Sequence, residues 1–221
     1  MPCFQKLIQP HRPTLLACGF MFECIKTNTR EKPGNQKGTR GIDLELTVIE
    51  TLKAIGIKQG QTVLDFGCGS GTYAIPAARI VGEEGTVYAL DKDKKVLDDL
   101  MHKADTARLA NIKELATGGE LVIGLAAGSI DAVILFDVYH HYYFPQTAER
   151  KRLIEELYTL MKSDGFLAVW PKHMESEAQG EIEGDNFYLQ TTYSGTLIHE
   201  NRDIEKGVVM NFRKKQDCAQ E

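Results

Sequence analysis

Apolar residues along the chain follow two alternating patterns. Short continuous apolar runs are typical of strands buried on both faces, and longer stretches with apolar residues three or four apart are typical of helices. The runs predict strands at Val63–Phe66, Gly85–Asp91, Asn111–Ala116, Ile130–Val138 and Gly165–Trp170. The helical pattern predicts helices at Ile42–Ile55, Thr72–Val81, Asp93–Ala110 and Gln146–Lys162. This alternation predicts an α/β fold with an open, mostly parallel sheet and helices on both faces.

The remaining segments depart from this alternation. Thr196–His199 and Val208–Phe212 flank the turn-like stretch Glu200–Gly207, which predicts an antiparallel hairpin near the C-terminus. His173–Gln190 is polar and poorly periodic, so it predicts no regular element. The expected organisation is an N-terminal extension or lid at 1–41, one domain at 42–215 and a tail at 216–221.

The composition fits a globular domain and argues against some kinds of partner. A chain of 221 residues with 43% hydrophobic and 26% charged residues is long enough for one domain with a full core. The net charge of −5 argues against nucleic acid as a partner, because polyanion binding relies on a basic patch. No stretch approaches the ~20 apolar residues of a membrane span, so none is expected.

The 5 cysteines predict neither a metal site nor a disulfide framework. They are odd in number, irregularly spaced, and no two of them form a CxxC pair. Because reduced thiols are the rule in the cytosol, we expect a cytoplasmic protein.

A glycine-rich loop follows the first predicted strand and indicates a nucleotide site. From Asp65 the residues read D-x-G-x-G-x-G, and such glycines let the backbone approach a ligand closely. A dinucleotide fingerprint starting at Gly67 requires glycine at position 72, where the chain has Thr72. Asp91 closes the next strand, where a carboxylate can accept both hydroxyls of a ribose. The pattern therefore favours a nucleoside ligand with a free ribose diol.

This pattern resembles motif I of the class I S-adenosylmethionine-dependent methyltransferases. Within them, the chain is most similar to the broad group of ubiquinone- and menaquinone-biosynthesis methyltransferases and related small-molecule enzymes. The resemblance covers residues 42 to 215 and implies a Rossmann-like, seven-stranded sheet that closes with an antiparallel hairpin. It implies S-adenosylmethionine as cofactor. At Met161–Gly165 the chain reads Met-Lys-Ser-Asp-Gly, where the family often has a Leu-Lys-Pro-Gly-Gly turn.

The resemblance also implies a set of cofactor-binding residues. Asp65 would organise the glycine loop near the methionine amino group, Asp91 would bind the ribose, and Asp137 would lie near the methionine portion. Glu120 falls at the position that meets the adenine amino group, although the usual aspartate is missing and a solvated loop is the alternative. The full predicted set is Asp65, Gly67, Cys68, Gly69, Gly71, Asp91, Lys92, Glu120 and Asp137.

His140 and His141 follow the fourth predicted strand and are the candidate catalytic residues. Methyl transfer from a sulfonium is an in-line displacement, so a base is needed only if the acceptor must lose a proton. Both histidines also have a structural alternative, in which they cap a helix or pack near the cofactor. Adjacent residues on a strand point to opposite faces, so we do not expect both to serve one proton.

The acceptor is expected to be a small molecule methylated on carbon, oxygen or nitrogen. DNA and RNA amino-methyltransferases usually carry Asn/Asp-Pro-Pro-Tyr/Phe after the fourth strand, whereas this chain reads Asp137-Val138-Tyr139-His140. Three alternatives stay open: a non-catalytic S-adenosylmethionine-binding or regulatory protein, an arsenite-type methyltransferase using Cys18 and Cys24, and a nicotinamide-linked oxidoreductase. The sequence leaves the oligomeric state open, with a homodimer as one alternative.

Overall fold

A computed structural model of the chain describes residues 44–118, 121–184, 186–199 and 203–215. In chain order, its helices are α1 Leu44–Ala54, α2 Ala74–Val81, α3 Lys94–Thr106, α4 Thr147–Leu160 and α5 Glu175–Glu183. Its strands are β1 Thr62–Phe66, β2 Thr86–Asp91, β3 Ile112–Ala116, β4 Ile130–Phe136, β5 Met161–Trp170, β6 Phe187–Ile198 and β7 Ile204–Lys214. The predicted extension at 1–41 and the predicted tail at 216–221 lie outside the described residues.

The strands form one seven-stranded sheet in the order β3-β2-β1-β4-β5-β7-β6. The pairs from β3 to β5 are all parallel, and β7 runs antiparallel to both of its neighbours. The predicted mostly parallel sheet with a C-terminal antiparallel hairpin is therefore confirmed. The chain reverses its direction of winding between β1 and β4, and ligands of open α/β sheets bind at the carboxyl ends of strands at such a switch point.

The central strand β4 is buried on both faces, which explains its continuous apolar sequence. Ile134 and Phe136 pack in one apolar layer, which also contains core residues of α1, α2 and α3. Val133 and Leu135 pack in the other layer, which contains core residues of α4 and α5. The helices thus cover both faces of the sheet, as predicted.

The segment His173–Gln190 contains more regular structure than its sequence predicts. It forms α5, of which only Ala178 and Ile182 are buried, and then the start of β6. A helix that buries two side chains has too few apolar positions to produce a detectable helical period. Along β6 most residues before Gly195 are exposed or half-buried. The sequence therefore has no apolar run there that would predict a strand.

Two predicted boundaries are also corrected at the ends of α4 and β4. The chain passes from α4 straight into β5, so Met161–Gly165 forms an extended segment instead of a family-type turn. Its pairing with β4 is irregular, since the register shifts from Ile130 opposite Met161 to Ala132 opposite Phe166. Strand β4 ends at Phe136, earlier than predicted, because Asp137 adopts a left-handed backbone conformation with a φ of 57°.

Candidate functional site

The glycine loop after β1 turns sharply and lies against the segment that follows β4. Gly67, Gly69 and Gly71 have φ values of 78°, 49° and 95°, a region that favours glycine. A Cβ added to Gly67 would clash with the side chain of Val138. The backbone N–H groups of Gly67 and Cys68 donate to the carbonyl of Leu90 at 2.8 and 3.0 Å, which fastens the loop to the end of β2.

Asp91, at the end of β2, holds the loop with its carboxylate. Its Oδ2 accepts from the N–H of Gly69 at 3.0 Å, and its Oδ1 accepts from the N–H of Asp93 at 2.9 Å. Asp93 in turn caps α3 by accepting from the N–H of Lys95 at 2.9 Å. Each carboxylate oxygen has two lone pairs, so both oxygens of Asp91 keep one for a ribose diol. The carboxylate of Asp91 therefore shapes the loop, and its predicted role in ribose binding is compatible with these bonds.

A cavity of about 460 Å³ opens at the carboxyl ends of these strands. Of the predicted cofactor-binding residues, it is lined by Gly67, Cys68, Gly69, Asp91, Lys92 and Asp137. Asp65 is buried on β1, with 3% of its surface exposed, and Gly71 lines a neighbouring cavity. Glu120 lies outside the described residues. The individual binding roles stay predictions, but the structure brings most of the set around one cavity.

Asp137, Trp170 and His199 line the same cavity, at the ends of β4, β5 and β6. The N–H of Asp137 donates to the carbonyl of Trp170 at 3.2 Å. The Nδ1 of His199 lies 2.9 Å from Oδ2 of Asp137, and its ring packs on Trp170 with 4.8 Å between the ring centroids. Sequence reasoning did not select His199, although it ends the first arm of the predicted hairpin. The sequence around His199 shows only that this residue lies at the end of a predicted strand. The residues that it contacts are distant along the chain.

Tyr73 connects the glycine loop to the residue before His199. Its hydroxyl donates to the carbonyl of Ile198 at 3.0 Å and accepts from the N–H of Ile198 at 2.9 Å. Burial raises the pKa of Tyr73 well above its ordinary value, so the hydroxyl keeps its proton. The position of His199 is therefore tied to the start of α2 and to the cofactor loop.

His140 and His141 lie in the turn after β4 and do not line the cavity. His140 is 7% exposed, its Nδ1 accepts from the N–H of Tyr142 at 3.1 Å, and burial lowers its pKa. The Nε2 of His141 lies 3.0 Å from Glu177, and its Nδ1 lies 3.3 Å from Arg150. Because the two residues are not on a strand, the argument from opposite strand faces does not apply. Their catalytic roles stay predictions.

Arg150 of α4 fixes the wall of the cavity that follows β4. Its side chain is 2% exposed, and its Nε and Nη2 donate to the two carboxylate oxygens of Glu181, each at 2.7 Å. Its Nη1 donates to the carbonyl of Phe144 at 2.6 Å. The hydroxyl of Tyr139 also donates to Glu181, at 3.0 Å. Arg150 and Glu181 thus join α4, α5 and the segment after β4. No sequence motif indicated this connection.

The described part of the chain contains neither a metal-binding group of side chains nor a membrane-spanning helix. Within those ranges, no three histidine, cysteine, aspartate or glutamate side chains are grouped so as to hold a metal ion. None of the helices there has the length and apolar character needed to cross a membrane. Cys68 is buried, and its Sγ lies 3.6 Å from the carbonyl oxygen of Gly69.

Residues 64–169 match the family described as "Methyltransferase domain". The chain is 37% identical over 60 residues to a probable cobalt-precorrin-6B C(15)-methyltransferase of Saccharolobus solfataricus, which covers 27% of this chain and 30% of that protein. It is 28% identical over 116 residues to a demethylmenaquinone methyltransferase of Oceanobacillus iheyensis, covering 52% of this chain and 46% of that protein. The matches thus span about half or less of the curated relatives' length.

A solved methyltransferase structure is also similar to this chain. The structure of a SAM-dependent methyltransferase from Aquifex aeolicus superimposes with a TM-score of 0.58 at 26% identity, covering 76% of this chain and 90% of that one. The sheet order and the glycine loop define a class I Rossmann-like methyltransferase fold. The chain therefore contains a methyltransferase domain with the class I fold, and the family match, the relatives and the solved structure support the predicted class and cofactor.

Proposed function

We propose that this chain transfers the methyl group of S-adenosylmethionine to a small-molecule acceptor. The observation that carries the proposal is that one cavity contains both the glycine loop with Asp91 and the group formed by Asp137, Trp170 and His199. Its volume of about 460 Å³ falls within the ~300–1,000 Å³ typical of small-molecule sites. Donor and acceptor can therefore meet in one chamber.

The residues around the loop fit the cofactor. Asp91 offers two free lone pairs to a ribose diol, and the glycines at 67 and 69 let the ligand lie directly on the backbone. Lys92 lies 5.5 Å from the ring centroid of Tyr143 at the cavity wall. We assign the ribose to Asp91 and the methionine portion to the side of Asp65 and Asp137, as the family resemblance implies.

The walls of the cavity favour alignment of the acceptor with the methyl group and the exclusion of water. Phe66 and Phe144 pack with 6.4 Å between ring centroids, and Trp170 lies at the end of β5. Bound S-adenosylmethionine supplies a methyl group already activated on a sulfonium sulfur. The chain's own task is then to hold the acceptor in line with that methyl group, and good alignment is worth at most ~7–11 kcal/mol.

A small-molecule acceptor is supported by the relatives and by the charge of the chain. The relatives named above are a demethylmenaquinone methyltransferase and a probable cobalt-precorrin methyltransferase. The net charge of −5 disfavours a nucleic acid acceptor. We further propose a cytoplasmic location from the cysteine usage.

Calorimetry tests the cofactor site directly. We expect Asp91→Ala to weaken S-adenosylmethionine binding by about tenfold or more, because hydrogen bonds to a charged group are worth ~1.5–3 kcal/mol. Asp98→Ala is the matched control, since Asp98 forms an exposed pair with Lys94 on the same helix that Asp93 caps. Equal affinities of the two variants would contradict this site.

Turnover is tested by release of S-adenosylhomocysteine with a panel of acceptors. The panel contains small phenols, hydroquinones, amines, a tetrapyrrole and arsenite. Release with an organic acceptor supports the proposal, and release with arsenite alone supports the arsenite-type alternative. Tight cofactor binding without release from any acceptor favours a non-catalytic binding protein.

A further inference from the structure

Four polar side chains form a connected cluster at one end of the cavity, here named the relay cluster: Asp137, Lys172, His199 and Glu205. The Nδ1 of His199 lies 2.9 Å from Oδ2 of Asp137, and its Nε2 lies 2.9 Å from Oε2 of Glu205. The Nζ of Lys172 lies 3.2 Å from Oε2 of Glu205 and 3.1 Å from Nε2 of His199. Each ring nitrogen of His199 thus faces a carboxylate.

The relay cluster leads from the cavity to solvent. The Asp137 side chain, at the cavity wall, is 33% exposed, and the His199 side chain is only 12% exposed. The Glu205 side chain is 42% exposed and does not line the cavity. The hydrogen bonds that His199 and Lys172 donate to Glu205 lower the pKa of its carboxyl, so it stays ionised at neutral pH.

A neutral imidazole carries one N–H and faces two acceptors here. Its proton can therefore leave from one nitrogen while another arrives at the other nitrogen, without any movement of the ring. The ring is also held in place by Trp170 and, through the backbone of Ile198, by Tyr73. A fixed ring between two carboxylates is the geometry that a proton relay requires.

Asp137 is the member of the cluster that can meet an acceptor. Its Oδ2 lies 2.9 Å from Nδ1 of His199, whereas its Oδ1 lies 3.8 Å from Nε2 of His140, beyond hydrogen-bond range. Its left-handed φ of 57° is unusual for a residue other than glycine. Such strained positions cluster at functional sites, and this one turns the chain where the cavity wall begins.

We propose that Asp137 is the general base that takes the acceptor's proton, and that His199 is a positioning residue that passes this proton to Glu205. This inference rests on the proposed function and applies to acceptors with a proton on the atom that is methylated. The acceptor's lone pair forms the new bond to the methyl carbon, and the electrons of the breaking bond stay on sulfur, which becomes a neutral thioether. In this step the neutral imidazole of His199 carries its proton on Nε2 and has a bare Nδ1. The displaced proton binds to Asp137, the resulting carboxyl donates it to Nδ1, and Nε2 gives its proton to Glu205, from which it passes to solvent.

The pH dependence of kcat tests this assignment, with any acceptor that releases S-adenosylhomocysteine. We expect Asp137→Asn to lower kcat by about 100-fold or more, because general base catalysis is typically worth ~10²–10⁴-fold. His199→Gln should lower kcat and change the shape of its pH profile while the cofactor affinity stays within about threefold. His102→Gln, an exposed histidine on α3, is the matched control and should leave the profile unchanged. An unchanged profile in His199→Gln overturns the inference, as does a pH-independent kcat in the wild type.

A second measurement needs no acceptor. S-adenosylmethionine carries a positive sulfur and S-adenosylhomocysteine a neutral one, so calorimetry in two buffers of different ionisation heat compares the protons released by each ligand. A positive charge in the cavity favours loss of a proton from nearby groups, so we expect the cationic ligand to release more protons from the wild type than the neutral ligand does. The difference should vanish in His199→Gln and persist in His102→Gln. Equal release from the wild type and His199→Gln refutes the relay, whereas absence of binding by either ligand refutes the proposed function itself.

Discussion

At the scale of single residues, the glycine loop depends on backbone conformation and on close packing at the same position. Gly67 combines a φ of 78° with a contact to Val138 that leaves no room for a Cβ. Gly60 has the same φ of 78° but has no heavy atom within 4 Å of its Cβ position. Substitutions at the two glycines therefore share the cost of backbone strain, and only a substitution at Gly67 adds the cost of a steric clash.

We expect Gly67→Ala to cost more stability than Gly60→Ala and also to lose cofactor affinity. A left-handed conformation costs about 1–2 kcal/mol for an alanine, and this cost applies to both variants. Only Gly67→Ala adds overpacking against Val138, which typically costs a further ~1–3 kcal/mol. Urea unfolding measures the stability, and calorimetry measures the affinity for S-adenosylmethionine. Equal losses in the two variants would show that the loop does not pack as described.

At the scale of secondary structure elements, the buried Arg150 couples α4 to α5 and to the segment after β4. Its guanidinium forms a two-point hydrogen-bonded pair with Glu181 and also binds the carbonyl of Phe144. Two-point pairs of this kind combine strength with fixed geometry. The short helix α5, which buries few apolar residues, therefore depends on a charged contact for its position.

We expect Glu181→Gln to destabilise the protein by about 2–4 kcal/mol near neutral pH, because it leaves Arg150 buried without its charge partner. The hydrogen bonds from Arg150 lower the pKa of Glu181 below its ordinary value of 4.5. A carboxyl with a lowered pKa in the folded state stabilises the protein above its unfolded-state pKa and loses this contribution as the pH falls through the folded-state value. The difference in stability between wild type and variant should therefore be full above about pH 5 and shrink on acidification below pH 4.5.

The control for this pair is Asp99→Asn, which removes an exposed pair with Lys103 on α3. Exposed pairs between helical neighbours are worth only ~0.3–0.5 kcal/mol. Urea unfolding between about pH 3 and 7 separates the two variants. A loss in Glu181→Gln as small as that in Asp99→Asn would show that the buried pair does not position α5.

At the scale of the whole molecule, the sheet gathers residues from distant parts of the chain around one cavity. The loop after β1, the end of β2 and the ends of β4, β5 and β6 all contribute to its lining. The strands β1, β2, β4 and β5 are parallel and in adjacent positions, so their carboxyl ends meet at one edge. Ligand binding there should stabilise the whole domain.

S-adenosylmethionine at 100 times its dissociation constant should stabilise the folded chain by about 2.7 kcal/mol, because the unfolded chain has no site. For a chain of this size, that corresponds to a rise of roughly 5–11 °C in the unfolding midpoint. NADH at the same concentration should cause no rise, since Thr72 replaces the third glycine of the dinucleotide fingerprint. Scanning calorimetry measures both, and a rise with NADH would favour the oxidoreductase alternative.

Local sequence patterns were enough to predict the class of fold and the glycine loop with Asp91. Burial on two faces leaves continuous apolar runs in β1 and β4, and burial on one face leaves a helical period. Glycine conformation and a strand-ending carboxylate are equally local, so the loop and Asp91 were recognisable from a few neighbouring residues. These signals exist because local geometry restricts which residue types are compatible with each position.

The contacts around Asp137, His199 and Arg150 became evident only in the folded chain. His199 meets Asp137 across 62 residues of chain, and Arg150 meets Glu181 across 31. Neither pair has a local pattern, because each forms only when separate elements pack together. His140 and His141 are not among the residues that line the cavity, which their position after β4 did not indicate. Contacts between distant residues depend on the packed sheet, and for that reason the sequence predicted the glycine loop and Asp91, whereas only the folded chain shows the relay cluster.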